Sequence, residues 1–148
     1  MQDIMKKNNG FTLLELIIVL FLSTLILGIS TVFFANTLPS NRLNATAREM
    51  AATIRYAKYL ALTKGESQTL MIDLDSRNYT LGDQSYKHIP SDIHIEVVDP
   101  LSEKIVHGKY PITFYGSGGI EGGTIMLSTG KKLVRIELDP VVGSVIIK

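Results

Sequence analysis

The distribution of apolar and polar positions along the chain changes character twice. Residues 16–35 are aliphatic or aromatic apart from Ser23, Thr24, Gly28, Ser30, Thr31 and Ala35, and none is charged. A helix rises about 1.5 Å per residue, so about 20 such residues cross a hydrocarbon core of about 30 Å. The first element expected is therefore a single membrane span. Over 41–64 the apolar positions Leu43, Ala47, Met50, Ile54, Ala57 and Ala61 recur at alternating steps of four and three, with Arg48, Glu49, Arg55 and Lys58 between them. That stripe predicts an amphipathic helix, either separate or continuing the first. Asn41 or Asn44 is expected to cap its start, Gly65 to stop it, and Pro39 to bend or break the helix at the join.

After Ser67 the period shortens. The stretches "SQTLMIDL" and "YTL", joined by the turn residues "DSRN", read as strands. Further strands are expected at 93–98, 104–107, 112–115, 124–128, 133–138 and 144–147, separated by turn signals such as Asp99-Pro100, "GSGGIEGG" and "DPVVG". One amphipathic helix followed by antiparallel strands predicts an α+β domain with the helix laid across a sheet.

Composition alters this picture in two places. The chain has 148 residues and no cysteine, which excludes disulfides and thiolate chemistry. Asp3 against Lys6 and Lys7 leaves a net +1 before Phe11, which is the whole of the chain's formal charge, so the remainder is neutral. A neutral body offers no general attraction to nucleic acid. Lys6 and Lys7 also flank the span and predict that this end stays cytoplasmic. An ordinary secretory signal has a similar order of segments. The apolar run is too long for one, however, and "SNRLNAT" follows where a small-x-small cleavage site belongs.

The soluble part offers little catalytic chemistry. His88, His94 and His107 lack the spacing of a zinc helix. "GSGG" lacks the residue that a nucleophile elbow places between glycine and serine. "DLDSRN" departs from a calcium loop at Arg77, Asn78 and Gln84 and reads as a turn. The glycines of 116–123 read as a mobile hairpin connection rather than a phosphate cradle. Two glycosylation-type triplets, at Asn44 and Asn78, are too short to carry weight. Glu15 stands apart, because a carboxylate in an apolar span costs on the order of 3 kcal/mol. Either it serves a function there, or it snorkels to water at the membrane edge.

The stretch "KKNNGFTLLE" and the uncharged run after it resemble the signal of type IV pilins. In that family a prepilin peptidase cuts after the glycine and methylates the new N-terminus. The resemblance implies cleavage between Gly10 and Phe11, an N-methylated Phe11, and a role for Glu15 in filament assembly, pairing with the amine of a neighbouring subunit. The chain would then comprise a leader (1–10), a transmembrane and filament-core helix (11–38) and a periplasmic head (39–148).

"REMAATIRYAKYLALTKGESQTLMIDLDSRNYTL" and "ITFYGSGGIEGGTIMLSTGKKLVRIELDPVVGSVIIK" are similar to the head of the minor pseudopilin H and minor pilin group. This implies a structural subunit of the type II secretion pseudopilus, not an enzyme, with no cofactor or metal. Its implied partners are the peptidase, other pseudopilins or pilins, and an inner-membrane assembly platform. The alternatives are a minor type IV pilin in adhesion, motility or DNA uptake and, from another class, a membrane-tethered periplasmic enzyme or binding protein. The DNA-binding members of the group end in an arginine-rich stretch. This chain ends "GSVIIK", which argues against nucleic acid.

Overall fold

The computed structural model describes residues 10–101, 103–130 and 132–148, with 31–37 as backbone only. The basic flank Lys6 and Lys7 lies outside the described residues. Two compact units divide the chain, Met1–Thr37 and Leu38–Lys148.

The single long helix is α1, Leu13–Lys64, and it contains Pro39. The break considered at this proline does not occur. A proline removes one N–H and crowds the carbonyl four residues earlier. The hydrogen-bonded turns on either side carry the helix across that loss, since extending a helix is far easier than starting one. No second helix begins at Asn41 or Asn44, so neither is a cap; the amide oxygen of Asn44 instead accepts from Lys132 Nζ at 3.1 Å. At its other end α1 stops as expected. Gly65 takes a φ of 67°, the left-handed conformation that closes helices and that glycine adopts without penalty.

Among the described residues ten short strands follow: β1 (Gln68–Asp73), β2 (Asn78–Leu81), β3 (Lys87–His88), β4 (His94–Val98), β5 (Lys104–Ile105), β6 (Lys109–Phe114), β7 (Ile120–Glu121), β8 (Thr124–Thr129), β9 (Lys132–Leu138) and β10 (Val145–Ile147). They form two antiparallel sheets rather than one, in the orders β3-β2-β1-β6-β7 and β10-β9-β8-β4-β5. The fold is thus α+β with the sheet divided. Strands β3 and β7 carry no periodic signal, because two-residue edges hold only one residue per face. The glycine-rich segment, expected to be a mobile hairpin connection, contains β7. It is a tight hairpin in which Tyr115 N–H donates to the Gly119 carbonyl and Gly118 N–H to that of Tyr115, both at 2.9 Å.

Alternation along the strands sends one face of each sheet inward. Leu70 pairs with Leu81 on one side and Ile112 on the other, and all three are buried. In the second sheet Ile125 stands between Val97 and Ile136 in the same way. These faces share one core with Leu43, Ala47, Met50, Ile54, Ala57 and Ala61 of α1, every one of which is fully buried. The helical stripe therefore has the phase expected of it. Ala51 and the half-polar Thr46 and Thr53 are buried beside it.

Arg77, within the β1–β2 turn, was read only as the residue that spoils a calcium loop. Its φ is 54°, unusual for a side chain of its size. Its guanidinium bonds the carbonyls of Pro90 at 3.0 Å, Ser91 at 3.2 Å and Ile93, tying the β3–β4 connection to the first hairpin. The turn itself is fixed by Asp73, whose carboxylate accepts from Ser76 N–H at 2.8 Å. That bond holds the Asp73 carboxyl below its ordinary range.

Candidate functional site

The residues singled out for processing and assembly meet at the start of α1. Gly10 is exposed and has open space around its Cα, and the Phe11 side chain is 78% exposed. Both precede the first helical residue, Leu13. Both residues are exposed and lie outside any helix or strand.

Thr12 is the residue that sequence reasoning missed. Its hydroxyl oxygen accepts from Glu15 N–H at 3.2 Å, and its carbonyl accepts from Leu16 N–H at 3.2 Å. This is an N-cap: a side-chain oxygen satisfies an amide that has no carbonyl a turn earlier. Glu15 falls at the third helical position, so Thr12-Leu13-Leu14-Glu15 has the spacing of a capping box, which was readable in the sequence. The carboxylate therefore sits in the first turn, where the helix dipole favours negative charge.

From Leu13 to Ser30 the helix is long and apolar enough to cross a membrane, and none of that window is buried within the chain. Its large side chains are exposed. Its hydroxyls are satisfied locally: Ser23 donates to the Val19 carbonyl at 2.7 Å, Thr24 to Phe21 at 2.8 Å and Ser30 to Ile26 at 2.8 Å. Such side-chain bonds back to the preceding turn remove the need for water. Glu15 is the single ionisable residue in this window.

The head offers no comparable chemistry. His88 is exposed on β3, His94 is exposed at the start of β4, and His107 Nδ1 lies 3.3 Å from an Asp75 oxygen. Among the described residues no group of three or more His, Asp or Glu is placed to hold a metal. A cavity of about 420 Å³ is lined by Asp99, Leu101, Tyr110, Thr113 and Glu121. There Tyr110 donates its hydroxyl to Asp99 at 2.6 Å, and Tyr115 donates to Glu121. Burial and the neighbouring Asp99 push the Tyr110 phenol well above its ordinary value, so it stays neutral. Phenol and carboxylate satisfy each other, without a nucleophile and base aimed at a shared point.

A capped, unburied apolar helix followed by antiparallel sheets is an α+β arrangement consistent with pilin-like proteins. Residues 5–31 match the family described as "Prokaryotic N-terminal methylation motif". Type II secretion system protein H of Xanthomonas campestris pv. campestris is 21% identical over 140 residues, which cover 95% of this chain and 83% of that protein. No solved structure matches. The motif thus marks the start of the chain, and the similarity to protein H extends along most of its length.

Proposed function

We propose that this chain is a minor pseudopilin, a structural subunit of the type II secretion pseudopilus that takes part in protein export across the outer membrane. The observation that carries the reading is the coincidence of the processing motif with the start of an unburied apolar helix. A prepilin peptidase cuts between Gly10 and Phe11 and methylates Phe11. Residues 11–38 then span the inner membrane once, with the N-terminus cytoplasmic and residues 39–148 in the periplasm. The subunit leaves the bilayer at an assembly platform and stacks its helix among those of other pseudopilins.

Glu15 drives that step on this reading. Unpaired in an apolar setting it penalises the lone subunit, and the new amine of a neighbour removes much of the penalty. Protein H is a secretion-system component by name, which favours secretion over a minor type IV pilin role in adhesion, motility or DNA uptake.

Mass spectrometry of the chain recovered from membranes tests the processing: the expected terminus is N-methylated Phe11. A terminus near Asn36 would identify an ordinary signal peptide and end the filament reading. Deletion of the gene is expected to abolish export of secreted proteins while leaving pilus-dependent motility intact, and the reverse pattern would assign the chain to a pilus.

A further inference from the structure

We propose that α1 and the closing turn of the head together form a docking surface for another subunit of the same filament, one that presents carboxylates flanked by apolar side chains. The inference rests on the filament reading above and adds to it the surface used and the chemistry of the partner.

The surface is contiguous. Lys58 Nζ, on α1, donates to the carbonyls of Val142 at 3.1 Å and Gly143 at 2.7 Å. A Cβ on Gly143 would lie 2.5 Å from that nitrogen and 2.9 Å from the Gly118 carbonyl, and one on Gly118 would lie 3.6 Å from Leu62 Cδ2. Helix, glycine hairpin and closing turn thus touch one another. Arg55, one turn before Lys58 on the helix, donates to the Val145 carbonyl at 3.3 Å.

This surface is apolar where a soluble monomer would be polar. Val141 is 86% exposed, Val142 69%, Tyr59 61% and Leu62 48%. Tyr59 and Leu62 are three residues apart and share a helix face. Exposed apolar groups gathered in this way mark interaction sites, whereas scattered ones do not.

The two valines are also held rigidly. Asp139 Oδ1 accepts from the N–H of both Val141 and Val142 at 2.9 Å, Gly143 N–H donates to the Asp139 carbonyl at 2.8 Å, and Asp139 N–H donates to the Ser144 carbonyl at 3.0 Å. A turn fixed before binding loses little entropy on binding.

Charge selects the partner. Among the described residues the ion pairs are Arg42–Asp92, Lys87–Glu49, Lys104–Glu96, His107–Asp75, Lys109–Asp73 and Lys148–Glu137. Arg55 and Lys58 are in none of them. Asp139 is the acid of the turn and keeps its negative charge, so Arg55 and Lys58 against Asp139 leave the patch one positive charge in excess. Burying it against an uncharged surface would leave that excess positive charge without a counter-charge; a partner carboxylate supplies one.

The test uses the full chain in cells that carry its own secretion system, with the photo-crosslinking residue benzoylphenylalanine at position 59 or, separately, at position 17 in the span. The expected position-59 product, read by mass spectrometry, joins this chain to a peptide of another filament subunit containing Asp or Glu. With the probe at 59, Val141→Asp should cut the yield at least about tenfold, whereas Val141→Lys, which keeps the sign of the patch, should retain more of it. Circular dichroism of both variants should match the parent. A product at 17 but none at 59 leaves the filament reading standing and overturns the docking surface. Products at neither position overturn both. A position-59 product with lipid or with a second copy of this chain, or equal losses from the Asp and Lys variants, overturns the proposed partner.

Discussion

A Cβ placed on Gly123 would lie 2.2 Å from the carbonyl oxygen of Val98. The two residues meet where β8 begins beside the end of β4, with Val98 paired to the next residue, Thr124. The atoms that a Cβ would meet are backbone, so no rotamer change relieves the contact. Gly123→Ala should destabilise the head by about 2–3 kcal/mol, as overpacking of a tight site does. Gly130→Ala, where no atom lies within 4 Å, should change stability by less than about 0.5 kcal/mol. Urea unfolding of a fragment beginning at Ser40 measures both.

The same fragment tests the helical stripe. Ile54 is fully buried in the shared core. Ile54→Asp should prevent folding or cost more than about 3 kcal/mol, because it buries an unpaired charge, while Ile54→Val should cost about 1 kcal/mol. Thermal melts of the two variants would then separate widely. An Asp variant that melts with the parent would place Ile54 outside the core.

Asp139 supplies a pH test. The N–H groups of Val142 and Val141 hold its carboxyl below the ordinary 3.8. A carboxyl whose folded value is depressed contributes stability that is fully present above its unfolded value, and that is lost as pH falls through the folded one. The stability difference between the parent and Asp139→Ala should therefore be constant at neutral pH and shrink below about pH 3.8. Paired urea titrations at pH 7 and pH 3 check the sign.

Arg77 combines a strained backbone with three carbonyl contacts. Arg77→Ala should cost about 2 kcal/mol, since it removes charged hydrogen bonds and keeps the left-handed φ. Arg77→Gly also loses the contacts but relieves the backbone, and it should be the milder variant by about 1 kcal/mol. Equal losses would show that the φ of 54° carries no strain.

Thr12 and Glu15 can be separated. If Glu15 acts by pairing with another subunit, Glu15→Leu and Glu15→Gln should insert and be cut after Gly10, yet fail to crosslink within the filament. Thr12→Ala removes only the cap, worth about 1 kcal/mol, and should still assemble. Assembly defects of equal size in Thr12→Ala and Glu15→Leu would assign Glu15 to helix capping instead.

What could be read from the sequence follows from how local each signal is. The span, the buried stripe from Leu43 to Ala61 and the alternating strands were legible because each is a repeat of side-chain type along a few turns or pleats. The continuity of α1 through Pro39 was not, since a proline's local penalty says nothing about the turns that offset it. Nor was the division into two sheets, which depends on pairings such as Leu70 with Ile112 across more than forty residues. At the site, Glu15 stood out as the one acid in an apolar run, and Gly10 and Phe11 through the resemblance to the type IV pilin signal. Thr12 carried an equally local pattern that the conspicuous acid beside it obscured. The bonds of Lys58 and Arg55 could not be read from the sequence, because the carbonyls they bind lie some 85 and 90 residues away.

On the proposed filament reading, the hydroxyls of Ser23, Thr24 and Ser30, each closed onto its own helix, bear on how the helix changes solvent. Moving from lipid to a bundle of apolar helices breaks none of these bonds, and their contribution to the transfer free energy is close to zero in either direction. The aliphatic side chains likewise exchange one hydrocarbon-like medium for another. For the window Leu13–Ser30 the transfer balance then rests on a single ionisable group. A helix built this way is indifferent to its surroundings along most of its length, and its preference for one medium can be reversed by a change in the partner of one carboxylate.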